Sequence, residues 1–192
     1  MSDDTPAVSG ILLAAGYGRR FGSDKRWHRL ADGTPMALAA GARLLAACPH
    51  SIAVVRPEDD ELAAAFRQLG LDVVHCADAR LGMGHTLAAG VAACREAAGW
   101  LVALADMPDI APASYRAVLA ALAAGAGIAR PQYAGRPGHP VGFAATHRAA
   151  LLALSGDEGG RGILAAQRDA LQLCPVDDPG ILLDLDENPA GG

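Results

Sequence analysis

Short apolar runs alternate with helical patterns along nearly all of this 192-residue chain. The runs that predict strands end in turn residues and cover Val8–Ala14, Ser51–Arg56, Asp72–His75, Trp100–Ala105, Gly127–Pro131, Val141–Ala144, Leu171–Val176 and Leu182–Leu183. The helical patterns cover Pro35–Ala47, Asp60–Leu69, Met83–Ala97, Pro112–Ala124, His147–Leu154 and Gly160–Arg168. Because parallel strands need long crossovers, this alternation predicts a mostly parallel sheet covered by helices on both faces.

The length suits one domain, which we predict over residues 7–189, with frayed termini at 1–6 and 190–192. A net charge of −5 argues against a nucleic-acid partner. The acidic start, Asp3 and Asp4, argues against a secretory signal, and apolar runs stay well below the ~20 residues that cross a membrane. We therefore expect a cytoplasmic protein.

The four cysteines are far apart and form no metal-binding spacing, so they are expected to be small buried side chains.

A glycine-rich, basic segment follows the first predicted strand. The glycines, at positions 16, 18 and 22, leave backbone N–H groups bare. The cations Arg19, Arg20 and Lys25 supply the positive charge that a phosphate chain requires. A Walker loop is absent, and Phe21 occupies the position where a dinucleotide fingerprint needs glycine. The segment therefore predicts a nucleoside triphosphate loop of a third kind.

Carboxylates mark two candidate metal positions. Asp106 ends an apolar strand on the sheet edge that also carries the glycine loop, where it either binds a hard divalent cation or caps a turn. Asp184 and Asp186 alternate with leucines, which predicts that they point to one side of a strand. That pair either shares a cation or lies on a solvated edge.

Three further segments are rich in donors. Gly82 to Thr86 opens the third helix, where it either contacts a ribose or phosphate or contains a plain helix cap by Thr86. The turns at 135–140 and 156–162 contain Arg136, His139, Asp157 and Arg161, and these residues alone do not separate a substrate site from a surface turn.

Five motifs occur in an order that resembles the molybdenum cofactor nucleotidyltransferases. The loop reads LAAGxGxRxGxxK from Leu13 onward, and the remaining motifs are LADMPDI at 104–110, GRPGHPVGF at 135–143, GDEGGRGIL at 156–164 and DLDENP at 184–189. The resemblance spans nearly the whole chain. It implies a Rossmann-like, three-layer α/β/α nucleotidyltransferase domain.

The resemblance also implies roles for individual residues. Arg20, Lys25 and Asp106 match the catalytic positions, and Mg²⁺ would bind Asp106 together with Asp184 or Asp186. The last motif has one extra residue and lacks the usual threonine, so the choice between Asp184 and Asp186 stays open. The implied nucleotide contacts are Leu13, Ala14, Ala15, Gly16, Gly18, Arg20, Lys25, Gly82 and Thr86. The implied acceptor contacts are Arg136, His139, Asp157 and Arg161.

The implied activity is transfer of CMP from CTP to the phosphate of molybdopterin, with release of pyrophosphate. Cytidylyl-transferring relatives read LAAG, as here, whereas guanylyl-transferring relatives read LAGG, so Ala15 favours CTP over GTP. Two alternatives remain. One is a nucleotidyltransferase, such as a guanylyltransferase, that acts on another phosphorylated acceptor. The other is a non-catalytic chaperone that delivers the cofactor to a molybdenum hydroxylase.

Overall fold

A computed structural model describes residues 7–17 and 24–185 of the chain. Its strands are β1 (Val8–Leu13), β2 (Ser51–Val55), β3 (Asp72–His75), β4 (Gly99–Leu104), β5 (Ile128–Tyr133), β6 (Arg136–Pro137), β7 (Val141–Ala144) and β8 (Leu171–Pro175). Its α-helices are α1 (Met36–Ala47), α2 (Asp60–Leu69), α3 (Met83–Ala93), α4 (Pro112–Ala123), α5 (Arg148–Leu152) and α6 (Arg161–Ala166). Within the part of the chain that the structure describes, no helix is both long enough and apolar enough to cross a membrane.

The strands form one sheet in the order β3-β2-β1-β4-β7-β5-β6, with β8 paired to β5. Strands β1 to β4 are mutually parallel, and β1 lies between β2 and β4. Strand β7 runs antiparallel to both β4 and β5. The carboxyl ends of β1 and β4 therefore lie side by side, where open α/β sheets bind their ligands.

Apolar side chains cover both faces of the sheet, which explains why the strand runs are nearly continuous. Along β1, Leu12 packs into one core cluster with α1, α2 and α4, whereas Ile11 and Leu13 pack into the other with α3 and α5. Strand β4 divides in the same way, with Leu101 on the first side and Trp100 on the second. The sequence prediction of a single three-layer α/β domain with a mostly parallel sheet is confirmed.

Two local predictions differ clearly from the structure, and one strand was missed. Helix α3 ends at Ala93 rather than 97, and the Trp100 indole donates a hydrogen bond to the Cys94 carbonyl in the turn that follows. The predicted strand at Leu182–Leu183 is instead the end of a 3-10 helix, Pro179–Leu182, because the Asp178 carboxylate caps it by accepting from the Gly180 N–H. The short strand β6 was not predicted. All four cysteines are free, and three of them are buried, as expected.

Candidate functional site

A cavity of about 360 Å³ opens at the carboxyl ends of β1 and β4. This volume falls in the usual range for small-molecule sites. Seven residues predicted to bind the nucleotide or the metal, or to act in catalysis, line this cavity: Leu13, Ala15, Gly16, Lys25, Gly82, Thr86 and Asp106. Asp157, a predicted acceptor contact, also lines it. The glycine segment, the start of α3 and the end of β4 therefore meet in one place. Ala14, also predicted to contact the nucleotide, is outside this lining because its side chain is buried in the core.

Lys25 and Asp106 form an ion pair in this cavity. The Lys25 Nζ lies 2.7 Å from Asp106 Oδ2, and the two side chains are 13% and 23% exposed. The other carboxylate oxygen, Oδ1, is buried and accepts no hydrogen bond from the described residues. A buried carboxylate oxygen without a donor is costly, and a hard cation is the partner that suits it.

The C-terminal segment passes beside Asp106. The Leu185 N–H donates to the Asp106 carbonyl at 3.0 Å, so the neighbouring Asp184 lies near the same loop with an exposed side chain. Because residues 183–185 are not a strand, the prediction that Asp184 and Asp186 share one strand face is wrong for Asp184; Asp186 lies outside the described residues. Within 7–17 and 24–185, no three His, Cys, Asp or Glu side chains form a preformed metal cage.

The start of α3 is built around glycine. Gly82 is the N-cap residue with φ of +123°, so the alternative in which Thr86 caps the helix is wrong. Thr86 lies inside the first turns, is 4% exposed and lines the cavity. The Gly84 N–H donates to the Gly156 carbonyl at 2.8 Å, which brings the 155–157 loop against the helix N-terminus. Asp157 thereby reaches the cavity wall.

Replacing Gly82 with alanine should destabilise the protein through both strain and overlap. A Cβ at Gly82 would overlap the Gly156 carbonyl, whereas a Cβ at Gly135, also at positive φ, would meet open space. We expect Gly135→Ala to cost roughly 1 kcal/mol of unfolding free energy, and Gly82→Ala roughly 1–3 kcal/mol more. Urea unfolding of the two variants measures the difference. Equal losses would contradict the close approach of the two loops.

A second cavity of about 270 Å³ adjoins the first. Leu13, Met83, Leu104 and Asp157 line both cavities. The polar side chains of the second cavity are Arg130, His139, Asp157, Glu158 and Arg161, and its apolar wall is Leu87, Val102, Val141, Phe143 and Leu164. Three of the four predicted acceptor residues therefore lie together. The fourth, Arg136, is exposed on β6, outside the linings of both cavities.

His139 is neutral in this setting. Burial, helped by the charges of Arg130 and Arg161 and opposed by that of Asp106, lowers the pKa of its imidazole to about 4. Its Nδ1 is buried and has no hydrogen-bond partner among the described residues. Arg130 donates from Nε to the Gly138 carbonyl at 2.9 Å, and burial lowers the pKa of its guanidinium. The second cavity thus combines cations with an uncharged imidazole.

Several lining residues had no predicted role. Tyr17, Arg26 and Arg80 line the first cavity, and Arg130 and Glu158 line the second. A charged residue within the β5 run was a usable signal for Arg130, because strand interiors of this kind are otherwise apolar. Gly18 and Arg20 lie outside the described residues.

Comparison with known proteins identifies the family. The profile described as a MobA-like NTP transferase domain matches residues 10–171. The purine catabolism protein PucB of Bacillus subtilis strain 168 is 30% identical over 194 residues, which is 95% of this chain and 93% of that protein. Nicotine blue oxidoreductase of Paenarthrobacter nicotinovorans is 29% identical over 192 residues, 95% of this chain and 94% of that one.

The crystal structure of Rv0371c from Mycobacterium tuberculosis H37Rv matches 95% of this chain and 94% of its own, with a TM-score of 0.82 and 28% identity. The crystal structure of its complex with manganese matches 90% of this chain and 89% of that chain, with a TM-score of 0.73 and 26% identity. Fold and sequence agree, and the chain belongs to the MobA-like NTP transferase family.

Proposed function

We propose that this protein transfers CMP from CTP to the terminal phosphate of molybdopterin and releases pyrophosphate, with Mg²⁺ as its metal. The observation that carries the proposal is the Lys25–Asp106 pair in a cavity that adjoins a second one, with a carboxylate oxygen that accepts no hydrogen bond from the described part of the chain. A phosphate chain needs a cation and a metal ligand at one point. A transfer reaction also needs room for an acceptor beside the donor.

In the proposed reaction, an oxygen of the acceptor phosphate attacks the α-phosphorus of CTP. The new P–O bond forms as the bond to the β-phosphate bridging oxygen breaks, and the electron pair leaves with pyrophosphate. Such chemistry depends on alignment and charge rather than on a protein nucleophile. Lys25 would stabilise charge on the phosphate oxygens, and Asp106 together with Asp184 or Asp186 would hold the metal. When bound, Mg²⁺ supplies further neutralisation of the phosphate charge.

The second cavity suits a phosphorylated, partly planar acceptor. Arg130 and Arg161 supply positive charge for a phosphate, and Phe143 and Leu87 supply apolar surface for a ring. The neutral His139 offers a nitrogen to a ring amide or hydroxyl. Arg136 would reach this acceptor only from outside the cavity, so its role rests on the family resemblance alone.

Base selection should depend on Ala15, which is 1% exposed and lines the first cavity. Its methyl group would narrow the floor of the nucleotide cavity. A narrower floor suits a pyrimidine better than a purine, so the wild type should bind CTP more tightly than GTP. Ala15→Gly should shift this preference toward GTP by ~1–3 kcal/mol, the usual size of a one-methyl effect. Isothermal titration of both nucleotides with Mg²⁺ tests this. A wild type that prefers GTP would replace the cytidylyl assignment with a guanylyl one.

The experiment that tests the function incubates the purified protein with molybdopterin, Mg²⁺ and each of the four nucleoside triphosphates. Pyrophosphate release and product mass are measured together. We expect pyrophosphate only where molybdopterin and CTP are both present. Release with a different phosphorylated acceptor would assign another transferase reaction, and tight molybdopterin binding without release would assign a cofactor chaperone that serves a molybdenum hydroxylase.

A further inference from the structure

Arg26 follows the only lysine of the sequence and lines the first cavity, yet its side chain is only 4% exposed. Its Nε donates to Asp24 Oδ1 at 2.8 Å, and its Nη2 donates to Asp24 Oδ2 at 2.5 Å and to Asp59 Oδ1 at 2.7 Å. Its Nη1 donates to the Ala14 carbonyl at 2.7 Å and to Asp59 Oδ2. These contacts engage every N–H group of the guanidinium, which has five.

A saturated guanidinium has no donor to offer a phosphate. Arg26 also faces two carboxylates, so its positive charge is already balanced where it lies. Burial lowers the pKa of Arg26, but hydrogen bonds from its side chain to Asp24 and Asp59 outweigh this and hold that pKa above its ordinary value. Arg26 therefore differs from its neighbour Lys25, whose Nζ meets Asp106 in the cavity.

Arg56 extends the same network along the loop. Its Nε donates to the Ala15 carbonyl at 3.4 Å and its Nη2 donates to the Gly16 carbonyl. Its guanidinium lies 4.2 Å from the centre of the Tyr17 ring, and its backbone N–H donates to Asp59 Oδ2 at 2.9 Å. Together the two arginines bind three successive carbonyl groups at the end of β1.

We propose that Arg26, Arg56, Asp24 and Asp59 form a positioning clamp that holds both ends of the nucleotide loop without touching the nucleotide. One end is the backbone of residues 14–16, and the other is Asp24, which caps the 3-10 helix that carries Lys25. By binding the carbonyl groups, the clamp fixes the direction of this backbone and places Lys25. The inference rests on the proposed nucleotide site.

Neutralising Asp59 distinguishes a positioning role of Arg26 from a direct electrostatic attraction between Arg26 and the triphosphate. If Arg26 were a phosphate ligand, or if the loop acted through its field alone, removing a nearby negative charge would tighten binding of a triphosphate. The clamp predicts weaker binding, because asparagine keeps only one of the two oxygens that accept from Arg26 and the Arg56 N–H, and places an N–H donor where the other oxygen was. Asp60 supplies a matched control, since it is also acidic at the start of α2 but is exposed.

The test titrates Mg²⁺ and CTP into the wild type, Asp59→Asn and Asp60→Asn, and measures steady-state transfer in parallel. We expect Asp59→Asn to weaken CTP binding about tenfold and to lower kcat as well, since small misplacements of phosphate-binding groups are costly. Asp60→Asn should match the wild type. Circular dichroism at the assay temperature checks the fold, and Asp24→Asn, at a more exposed position, replaces Asp59→Asn if that variant unfolds.

Substitution of Arg26 gives a second readout. Arg26→Lys cannot reproduce the forked contacts, so it should resemble Arg26→Ala, and added guanidinium should partly restore transfer by Arg26→Ala but not by Lys25→Ala. Asp59→Asn that binds CTP as well as or better than the wild type would overturn the clamp while the proposed function stands. A wild type that binds none of the four triphosphates would overturn the proposed function itself.

Discussion

Replacing Asp106 with asparagine should lower nucleotide transfer by roughly a hundredfold or more, because the metal contribution is worth several kcal/mol. The same change should leave the thermal midpoint nearly unchanged. In the wild type, the burial of Asp106 Oδ1 without a donor from the described residues offsets the ion pair with Lys25, and an asparagine amide oxygen can still accept from Lys25 Nζ. Initial rates with saturating CTP and Mg²⁺, compared with thermal unfolding, measure the two effects separately.

Asp109 provides the control for this change. It lies three positions further along the same loop and is exposed, outside the linings of both cavities. Asp109→Asn should transfer nucleotide at the wild-type rate. Near-normal turnover in Asp106→Asn would end the metal assignment at the end of β4.

Lys25→Ala should have opposite effects on the metal and on the reaction. In the wild type, the Lys25 ammonium group is paired with Asp106 Oδ2, an oxygen that a metal would also bind. Without it, Mn²⁺ alone should bind about tenfold more tightly, since a charge-assisted hydrogen bond contributes ~1.5–3 kcal/mol. The rate of transfer should nevertheless fall by a factor of about ten to a hundred. This factor corresponds to the loss of one charge-assisted contact between the lysine and the phosphates.

Titration of Mn²⁺ without nucleotide measures the first effect, and steady-state kinetics measure the second. Arg80→Ala is the control, because Arg80 lines the same cavity but is paired with Glu58 and Tyr17. It should leave Mn²⁺ binding unchanged. Weaker or equal Mn²⁺ binding in Lys25→Ala would show that the lysine does not compete with the metal.

The layered fold could be predicted because each strand packs on both faces. Leu12 and Ile11 face opposite cores, so β1 reads as an unbroken apolar run with turn residues beyond it. Helix α2 and strand β3 were predicted to the residue. The C-terminal 3-10 helix was not predicted, because the cap from Asp178 competes locally with the apolar pattern of residues 181–183.

The site could be predicted only in part, for a different reason. Asp106 was visible because a carboxylate after an apolar strand is unusual, and Lys25 because it follows the glycines. The role of Arg26 was not visible, because its partner Asp59 lies 33 residues away in sequence. The surroundings of His139 depend similarly on the C-terminal segment, where the Ile181 carbonyl accepts from the His139 N–H. Such long-range pairs leave no periodic signal in the sequence.

The product mass from a reaction of the purified protein with molybdopterin, CTP and Mg²⁺ tests cytidylyl transfer most directly. We expect a product heavier than molybdopterin by one CMP unit, with one pyrophosphate per product, and neither from the Asp106→Asn variant. Unchanged molybdopterin and intact triphosphate, with all four nucleotides, would contradict it.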